Sequence, residues 1–337
     1  MAYTGKASQV LKEKGNPNPT TLHKLLYKSV PKRDGGYRFI PKDEIDYSLV
    51  VVDEVSMVPG SIWNLLLSHD VHVIALGDPE QLPPVSKEDH QEVLNHPHVF
   101  LDEIMRQAQE SEIIRLSMWI REGRTLASYK GSNEEVMIVK SADEGMFRWA
   151  DQILCATNAT RNKLNNQYRK MLRYGKEPQA GDKIIGLGNH WDFDSIDNDP
   201  APLTNGTIGT IIDYERDYIS FPNRITPNPV PILMTSMRTE DGHNFINIPI
   251  DYSSIKTGAP YFSDSQKGKI RTSKGMPEIP YDFAYGYCIT VWKYQGSQAN
   301  KILLFEEEHP WERIEHRKYL YTGITRAAEK IVIVKKS

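Results

Sequence analysis

Ser48-Leu49-Val50-Val51-Val52-Asp53-Glu54-Val55-Ser56-Met57 decides how this chain is read. An apolar run with no polar alternation ends on two adjacent carboxylates. Such a run predicts a strand buried on both faces of a parallel sheet. A second run of this kind follows at Val71 to Leu76 (VHVIAL), and Gly60 to Leu67 between them predicts a helix. Strand, helix, strand is the order of an α/β layer. Open parallel sheets take ligands at the C-terminal edges of their strands, which is where Asp53 and Glu54 fall. Asp53 is suited to hold Mg²⁺ against nucleotide phosphates, and Glu54 to orient and deprotonate an attacking water. Taken alone, the pair fits a strand running into a solvated turn equally well.

The second strand runs into Gly77-Asp78-Pro79-Glu80-Gln81-Leu82-Pro83-Pro84-Val85. The glycine and prolines predict a stiff loop beside the carboxylates. Gln81, with a donor and an acceptor on one neutral head, can bond a terminal phosphate or the attacking water. Arg106 and Arg326 stand in loop contexts (Met105-Arg106-Gln107 and Gly323-Ile324-Thr325-Arg326-Ala327). A planar, permanently charged donor suits the charge that develops on a transferring phosphoryl group.

Further along, Ser111 to Glu122 predicts a helix capped by Ser111, with Ile113, Leu116 and Ile120 on one face and Gly123 as its stop. Thr160 to Tyr174 predicts another, with Leu164, Tyr168 and Leu172 inward. Its basic face of Arg161, Lys163, Arg169, Lys170 and Arg173 reads as solvated. From about residue 181 to 281 the texture changes to short β-like runs (Lys183 to Leu187, Thr207 to Tyr214, Ile232 to Met237, Asn244 to Ile250) between Gly, Pro, Asn and Asp. That spacing predicts a small β-barrel insertion. Ile302 to Phe305 and Ile331 to Val334 return to buried strands, and Glu306-Glu307-Glu308-His309 reads as a solvated loop.

At 337 residues the chain is long enough for two or three domains. With 39% hydrophobic and 25% charged residues it falls in the ordinary soluble globular class. Its net charge of -3 excludes holding nucleic acid by bulk charge, so any such partner needs a local groove. Cys155 and Cys288 form no CxxC pair and sit in apolar runs, which predicts buried reduced thiols. With no apolar signal core and no run long enough to span a bilayer, the expectation is a cytoplasmic protein without a membrane partner.

The ordered set DEVSM, GDPEQLPPV, RQ and a near-terminal YTGITRA resembles the superfamily 1 DNA helicases of the RecD and phage Dda type. Ala2-Tyr3-Thr4-Gly5-Lys6-Ala7 is similar to that family's motif Ia, and Thr20-Thr21-Leu22-His23-Lys24-Leu25-Leu26 to the segment after it. Ala156-Thr157-Asn158 with Asn165 resembles the start of the second motor domain. Thr290-Val291-Trp292-Lys293-Tyr294-Gln295-Gly296-Ser297 resembles the His-Lys-x-Gln-Gly motif, with Trp292 where His is usual. The resemblance covers essentially the whole chain.

It implies an α/β fold of two RecA-like parallel-sheet domains, the first N-terminally incomplete, with an SH3-like β-barrel inserted in the second. The implied domains are 1–125, then 126–180 with 281–337, and the insertion at 181–280. Lys28 to Phe39 falls where the family carries a duplex-splitting hairpin, and a plain surface hairpin fits as well. The implied activity is ATP-dependent, 5′ to 3′ translocation on single-stranded DNA or at a single-strand/duplex junction, in replication, recombination or repair. ATP and Mg²⁺ are the implied cofactors. Asp53 would hold Mg²⁺ and Glu54 would be the catalytic carboxylate. Gln81, Arg106, Gln295 and Arg326 would contact or sense the γ-phosphate. Thr4, Thr21, His23, Thr157, Asn158, Thr290, Trp292 and Lys293 would line the DNA path, holding phosphates without reading sequence, with Trp292 able to stack on a base or to pack in the core.

The family's Gly-rich phosphate loop is not found in the sequence. Thr4-Gly5-Lys6-Ala7-Ser8 has no upstream glycine or strand and places Ala where Ser or Thr should bind Mg²⁺. The missing strand, loop and helix should leave apolar sheet edges exposed. A misassigned start or truncation is the preferred expectation. A separate N-terminal polypeptide or a non-hydrolysing DNA-binding relic are the alternatives, and the partners to expect beside DNA are the missing N-terminal segment or an accessory replication or recombination protein. No clustered nuclease constellation stands outside these motifs.

Overall fold

The computed structural model describes residues 1–3, 5–16, 19–31, 37–84, 89, 91–101, 110–131, 134–198, 201–273, 275–307 and 313–335. In chain order its strands are β1 (Tyr27–Pro31), β2 (Tyr37–Pro41), β3 (Leu49–Val52), β4 (His72–Ala75), β5 (Val136–Val139), β6 (Gln152–Cys155), β7 (Lys183–Gly186) and β8 (His190–Asp194). They continue as β9 (Pro202–Leu203), β10 (Ile208–Ile219), β11 (Val230–Thr239), β12 (Asn244–Asp251), β13 (Phe283–Tyr285), β14 (Cys288–Thr290), β15 (Ala299–Phe305) and β16 (Ala327–Val334). The chain divides into two compact units. One holds residues 1–26, 43–164 and 288–337, the other 27–42 and 165–287.

The first unit contains two parallel arrangements. β3 and β4 pair in parallel, Val50 opposite Val73 and Val52 opposite Ala75, with the helix Gly60–Leu67 between them in the chain as the sequence predicts. On the other side of β3, the Asp53 amide donates to the Met1 carbonyl, and Ala2 bridges in parallel to Thr21. The expectation that both strands are buried on two faces is corrected. Val50 and Val52 are buried, but Leu49, Val51, Ile74 and Leu76, which share the opposite face by alternation, are 49%, 39%, 47% and 49% exposed. Among the described residues nothing covers that face, so the apolar run is half buried.

The second arrangement is a five-stranded sheet in the order β14-β6-β15-β16-β5, with every pairing parallel. β6 is buried at all of its positions, as a strand between two neighbours with covered faces must be. The helix Glu112–Arg121 buries Ile113, Leu116 and Ile120 and stops at Gly123, whose φ of 80° suits glycine. Ser111 does not cap it as expected. The Glu135 carboxylate takes the Glu112 amide at 2.7 Å and the Ser111 hydroxyl at 3.1 Å instead. Cys155 and Cys288 are buried free thiols.

The second unit is built on a five-stranded antiparallel sheet, β12-β11-β10-β7-β13, whose strands contain the short runs picked out in the sequence. Ile184, Leu233, Met237, Phe245, Ile248, Ile250 and Phe283 form its core. β1 and β2 pair antiparallel, Tyr27 opposite Pro41 to Pro31 opposite Tyr37. The Asp-Gly-Gly turn read between them lies outside the described residues. On the long helix, observed at Asn158–Met171, the solvated basic face holds for Lys163, Lys170 and the following Arg173, which are exposed, and is corrected for Arg161 and Arg169, which are buried. Arg169 is 3% exposed and lies in this unit, fork to fork with fully buried Asp182. No helix among the described residues is long and apolar enough to cross a membrane.

Candidate nucleotide and nucleic-acid site

At the C-terminal edge of β3 the chain turns sharply. Glu54 adopts φ 53°, ψ 46°, the left-handed region, directly before the short 3-10 turn Val55–Met57. A non-glycine residue held there is over-determined by its surroundings, as is common where side chains are aimed for function. The turn is tied to the end of β4. The Leu76 amide donates to the Val52 carbonyl at 2.8 Å and the Val55 amide to the Leu76 carbonyl at 2.9 Å. Gly77 permits this approach, because a Cβ there would lie 2.8 Å from Val55 Cγ1.

This edge gathers Asp53, Glu54, Asp78, Gln81 and Arg326. Asp53 Oδ1 accepts the Glu54 amide at 3.0 Å, and Asp78 Oδ1 accepts the Glu80 amide at 2.9 Å. Burial raises the Glu54 carboxyl above its ordinary value. Arg326 opposes that rise, the neighbouring carboxylates of Asp53 and Asp78 add to it, and a hydrogen bond with Gln81 opposes it. Gln81 Oε1 is buried and has no hydrogen-bond partner among the described residues. A buried orphan acceptor is costly unless a donor from outside the described residues meets it. Arg326 is 5% exposed, its Nε donating to the Thr322 carbonyl at 3.1 Å and Nη2 to Thr325 Oγ1 at 3.2 Å. Burial disfavours its charge, and Glu54 is the largest influence favouring it. Arg106 and Thr4 lie outside the described residues.

The loop Asp78–Pro84 is held by residues that the helix Arg313–Ile324 and the segment Thr290–Gln295 bring to it. Tyr321 donates its hydroxyl to Asp78 Oδ2 at 2.6 Å, and Arg317 pairs with Glu80 at 2.8 Å. The Leu82 amide donates to Thr322 Oγ1 at 2.9 Å. Gln295, 4% exposed, donates from Nε2 to the Leu82 carbonyl at 2.9 Å. One of its two amide N–H donors is therefore given to the loop. Trp292 donates from Nε1 to the Pro83 carbonyl at 3.3 Å and stacks on Tyr319 at a centroid distance of 6.4 Å. Sequence reasoning did not single out Asp78, Arg317, Tyr321 and Thr322. Three of the four lie inside motifs it quoted, so the signal was the motif rather than the residue.

Of the expected nucleic-acid residues, Thr21 is buried, its Oγ1 accepts the Lys24 amide at 3.3 Å, and exposed His23 lies 5.6 Å from the Tyr3 ring. Thr157, Asn158, Thr290, Trp292 and Lys293 collect at the adjoining ends of β6 and β14, where Cys155 stands opposite Thr290. Asn158 is exposed and Thr290 is buried. Lys293 is half-buried, and burial, then Arg161, lower its pKa. The Thr157 hydroxyl is engaged. Glu307 takes it at 3.0 Å, the Thr160 hydroxyl at 2.5 Å, and the Ala156 and Thr157 amides at 2.5 and 3.2 Å. Glu307 is thus a helix-terminal cap rather than a solvated loop residue, and the polarity of that terminus favours a carboxylate.

Family models match in two places. An AAA domain matches residues 1–143 and a UvrD-like helicase C-terminal domain matches residues 285–334. An ATP-dependent RecD2 DNA helicase of Deinococcus radiodurans is 32% identical over an alignment covering 98% of this chain and 41% of that protein. The chain thus spans about two fifths of the length of the curated relative it matches. Among solved structures, a Bacteroides Pif1 helicase in complex with ADP-AlF3 and ssDNA has a TM-score of 0.53 at 18% identity, covering 98% of this chain and 81% of that one. A Candida albicans Pif1 helicase has a TM-score of 0.50 at 16% identity, covering 85% and 71%. At these identities the structural likeness speaks for the fold alone.

Proposed function

We propose that this chain, similar to the superfamily 1 helicases of the RecD/Pif1 type, is the motor portion of an ATP-driven DNA helicase, moving 5′ to 3′ on single-stranded DNA in replication, recombination or repair. The observation that carries the reading is the meeting of Glu54, Gln81 and Arg326. These residues come from opposite ends of the chain, and Gln81 keeps an unsatisfied acceptor beside a carboxyl whose pKa is raised. Perturbed groups assembled at a sheet's ligand edge mark a functional site more often than a structural one.

The residues fit a magnesium nucleotide. Asp53 is a hard oxygen donor at the strand edge, suited to an ion that keeps several of its waters. ATP with Mg²⁺ supplies the phosphoryl group whose transfer to water releases the energy for movement. Glu54 orients that water and accepts its proton, for which an upward-shifted carboxyl is better matched than an ordinary one. Gln81 Oε1 accepts a hydrogen bond from the same water, and Arg326 places fixed positive charge where negative charge develops. Asp78, held by Tyr321, anchors the loop that carries Gln81. Movement follows because the Asp78–Pro84 loop is bonded to Gln295, Thr322 and Tyr321, so rearrangement at the nucleotide edge pulls on the elements bearing Trp292 and Lys293. The Bacteroides Pif1 helicase holds ssDNA in its complex, which supports the same polymer as partner here.

The test is ATP hydrolysis by the purified chain, with and without oligothymidylate, beside Glu54→Gln. DNA-stimulated turnover lowered on the order of 10²–10⁴-fold in the variant supports the proposal. DNA binding with no turnover in either protein supports a non-hydrolysing DNA-binding role instead.

A further inference from the structure

β6 and β14 are adjacent parallel strands that end side by side, Cys155 opposite Thr290. From these ends the chain enters two helices, Asn158–Met171 and Val291–Tyr294. Their opening turns carry Arg161 and Lys293, close enough for the guanidinium to act on the ammonium. Arg161 is 3% exposed, and Asn162 Oδ1 receives its hydrogen bonds, from Nε at 3.3 Å and Nη2 at 3.0 Å. Among the described residues neither Arg161 nor Lys293 has a carboxylate within ion-pair distance. The contrast with Arg169 is sharp, since that equally buried guanidinium is matched by Asp182. A buried guanidinium beside a half-buried ammonium, without a counter-ion, is unfavourable, so the arrangement calls for an anion from outside. The neighbouring helix-terminal amides and the Thr157 and Thr160 hydroxyls cannot receive one, because Glu307 already fills them.

We infer that Arg161 and Lys293 together form the seat for one backbone phosphate of single-stranded nucleic acid, with Lys293 at the open side and Arg161 behind it. This inference rests on the helicase reading for the identity of the polymer, and it moves the phosphate contact from Thr157 to Arg161. A phosphodiester is the matching ligand because both cations donate without reading a base, and Arg presents a rigid fork that suits phosphate oxygens. The seat also lies at the C-terminal edge of parallel strands, the edge at which such sheets take ligands.

The experiment is binding of fluorescein-labelled oligothymidylate to the full chain across a salt series, for the unaltered protein, Arg161→Gln, Arg161→Lys, Lys293→Gln and the double Gln variant. Each single Gln variant should bind about tenfold more weakly, with the slope of log affinity against log salt reduced by about 0.7, the share of one phosphate on a single strand. The double variant should lose less than the two single losses combined, and Arg161→Lys should recover most of the slope. Because Arg161→Gln could unfold, the unaltered chain labelled with ¹⁵N-arginine supplies a second reading. The Arg161 Nε–Hε signal should move on adding oligothymidylate. An unmoved signal, or an Arg161→Gln protein that is folded and binds with unchanged affinity and slope, overturns this inference while leaving the helicase reading intact. Failure of the unaltered chain to bind oligothymidylate overturns both.

Discussion

Tyr321 gives its hydroxyl to Asp78 at 2.6 Å, while the next residue, Thr322, receives the amide of Leu82 at 2.9 Å. One helical turn thus fixes both ends of the Asp78–Leu82 stretch that carries Gln81. Arg326 follows within a turn, near enough to Glu54 for its charge to favour the carboxylate. The loop carrying Gln81 and the Arg326 guanidinium are therefore both held by the Tyr321–Arg326 stretch.

Removing the Tyr321 hydroxyl tests that coupling. Tyr321→Phe keeps the ring and strips the hydrogen bond from Asp78. A hydrogen bond to a charged group contributes about 1.5–3 kcal/mol, and Asp78 is only half-buried, so the loss should fall near the lower end. Urea unfolding measures it. In hydrolysis the variant should lower kcat several-fold and leave oligothymidylate affinity unchanged. A fall in DNA affinity with kcat intact would place Tyr321 in the DNA path instead.

What could be read in advance follows the range of the forces involved. Val50 and Val52 announced a buried strand because apolar burial is written in the residues themselves, and the helix Gly60–Leu67 followed from its place between two strands. The exposure of Leu49 and Val51 was not legible, because burial of the second face depends on what packs there. Glu54, Gln81 and Arg326 were legible as a set through their motifs. Asp78, Tyr321 and Thr322 were passed over because their partners lie more than 200 residues away, and no local pattern records a hydrogen bond of that reach. Arg161 and Arg169 read as a solvated face because periodicity marks a helix's polar side without showing what packs on it. Glu307 looked like part of a charge run until the fold set it against a helix terminus.

The second unit should depend heavily on Asp182. This fully buried carboxylate accepts from Arg169 Nε at 2.8 Å, from Arg169 Nη2 at 3.0 Å, from the Tyr287 hydroxyl at 3.0 Å and from the Gln179 amide at 2.9 Å. Arg169 also lies over the Tyr285 ring at 4.2 Å. Asp182→Ala strands a buried guanidinium and should destabilise by about 3–5 kcal/mol. Chemical denaturation of the variant decides this, and a loss under about 1 kcal/mol would show that water reaches Arg169 and relieves it.

Glu54 should cost stability near neutral pH. Its folded carboxyl titrates above its unfolded one, so between the two values the native state holds the proton more tightly. Stability then falls as pH rises through that window. Glu54→Gln has no charge to desolvate and should be more stable than the unaltered chain at pH 7, with the advantage gone below the unfolded carboxyl value of about 4.3. Paired urea titrations at pH 7 and pH 4 give the comparison. Equal stability at both values would mean that Arg326 fully offsets the burial.

His190 should give the second unit the opposite response. Its ring stacks on Tyr281 with centroids 3.5 Å apart, and Nε2 is buried without a partner among the described residues. Burial, with Arg271 and Lys267 nearby, pushes its pKa down to about 4. An unfolded histidine takes its proton near 6.5. Between those values the unfolded chain binds a proton that the native ring refuses, so stability is lost as pH falls through the window. The loss between pH 7 and pH 5 should be about 2 kcal/mol for this group. His190→Phe preserves the stacked ring and removes the titration, so its stability should change less over the same interval by that amount. Urea midpoints for both proteins at the two pH values test the point. If they fall in parallel, the acid sensitivity of this unit lies in other groups and the stacked ring is open enough to be protonated in place.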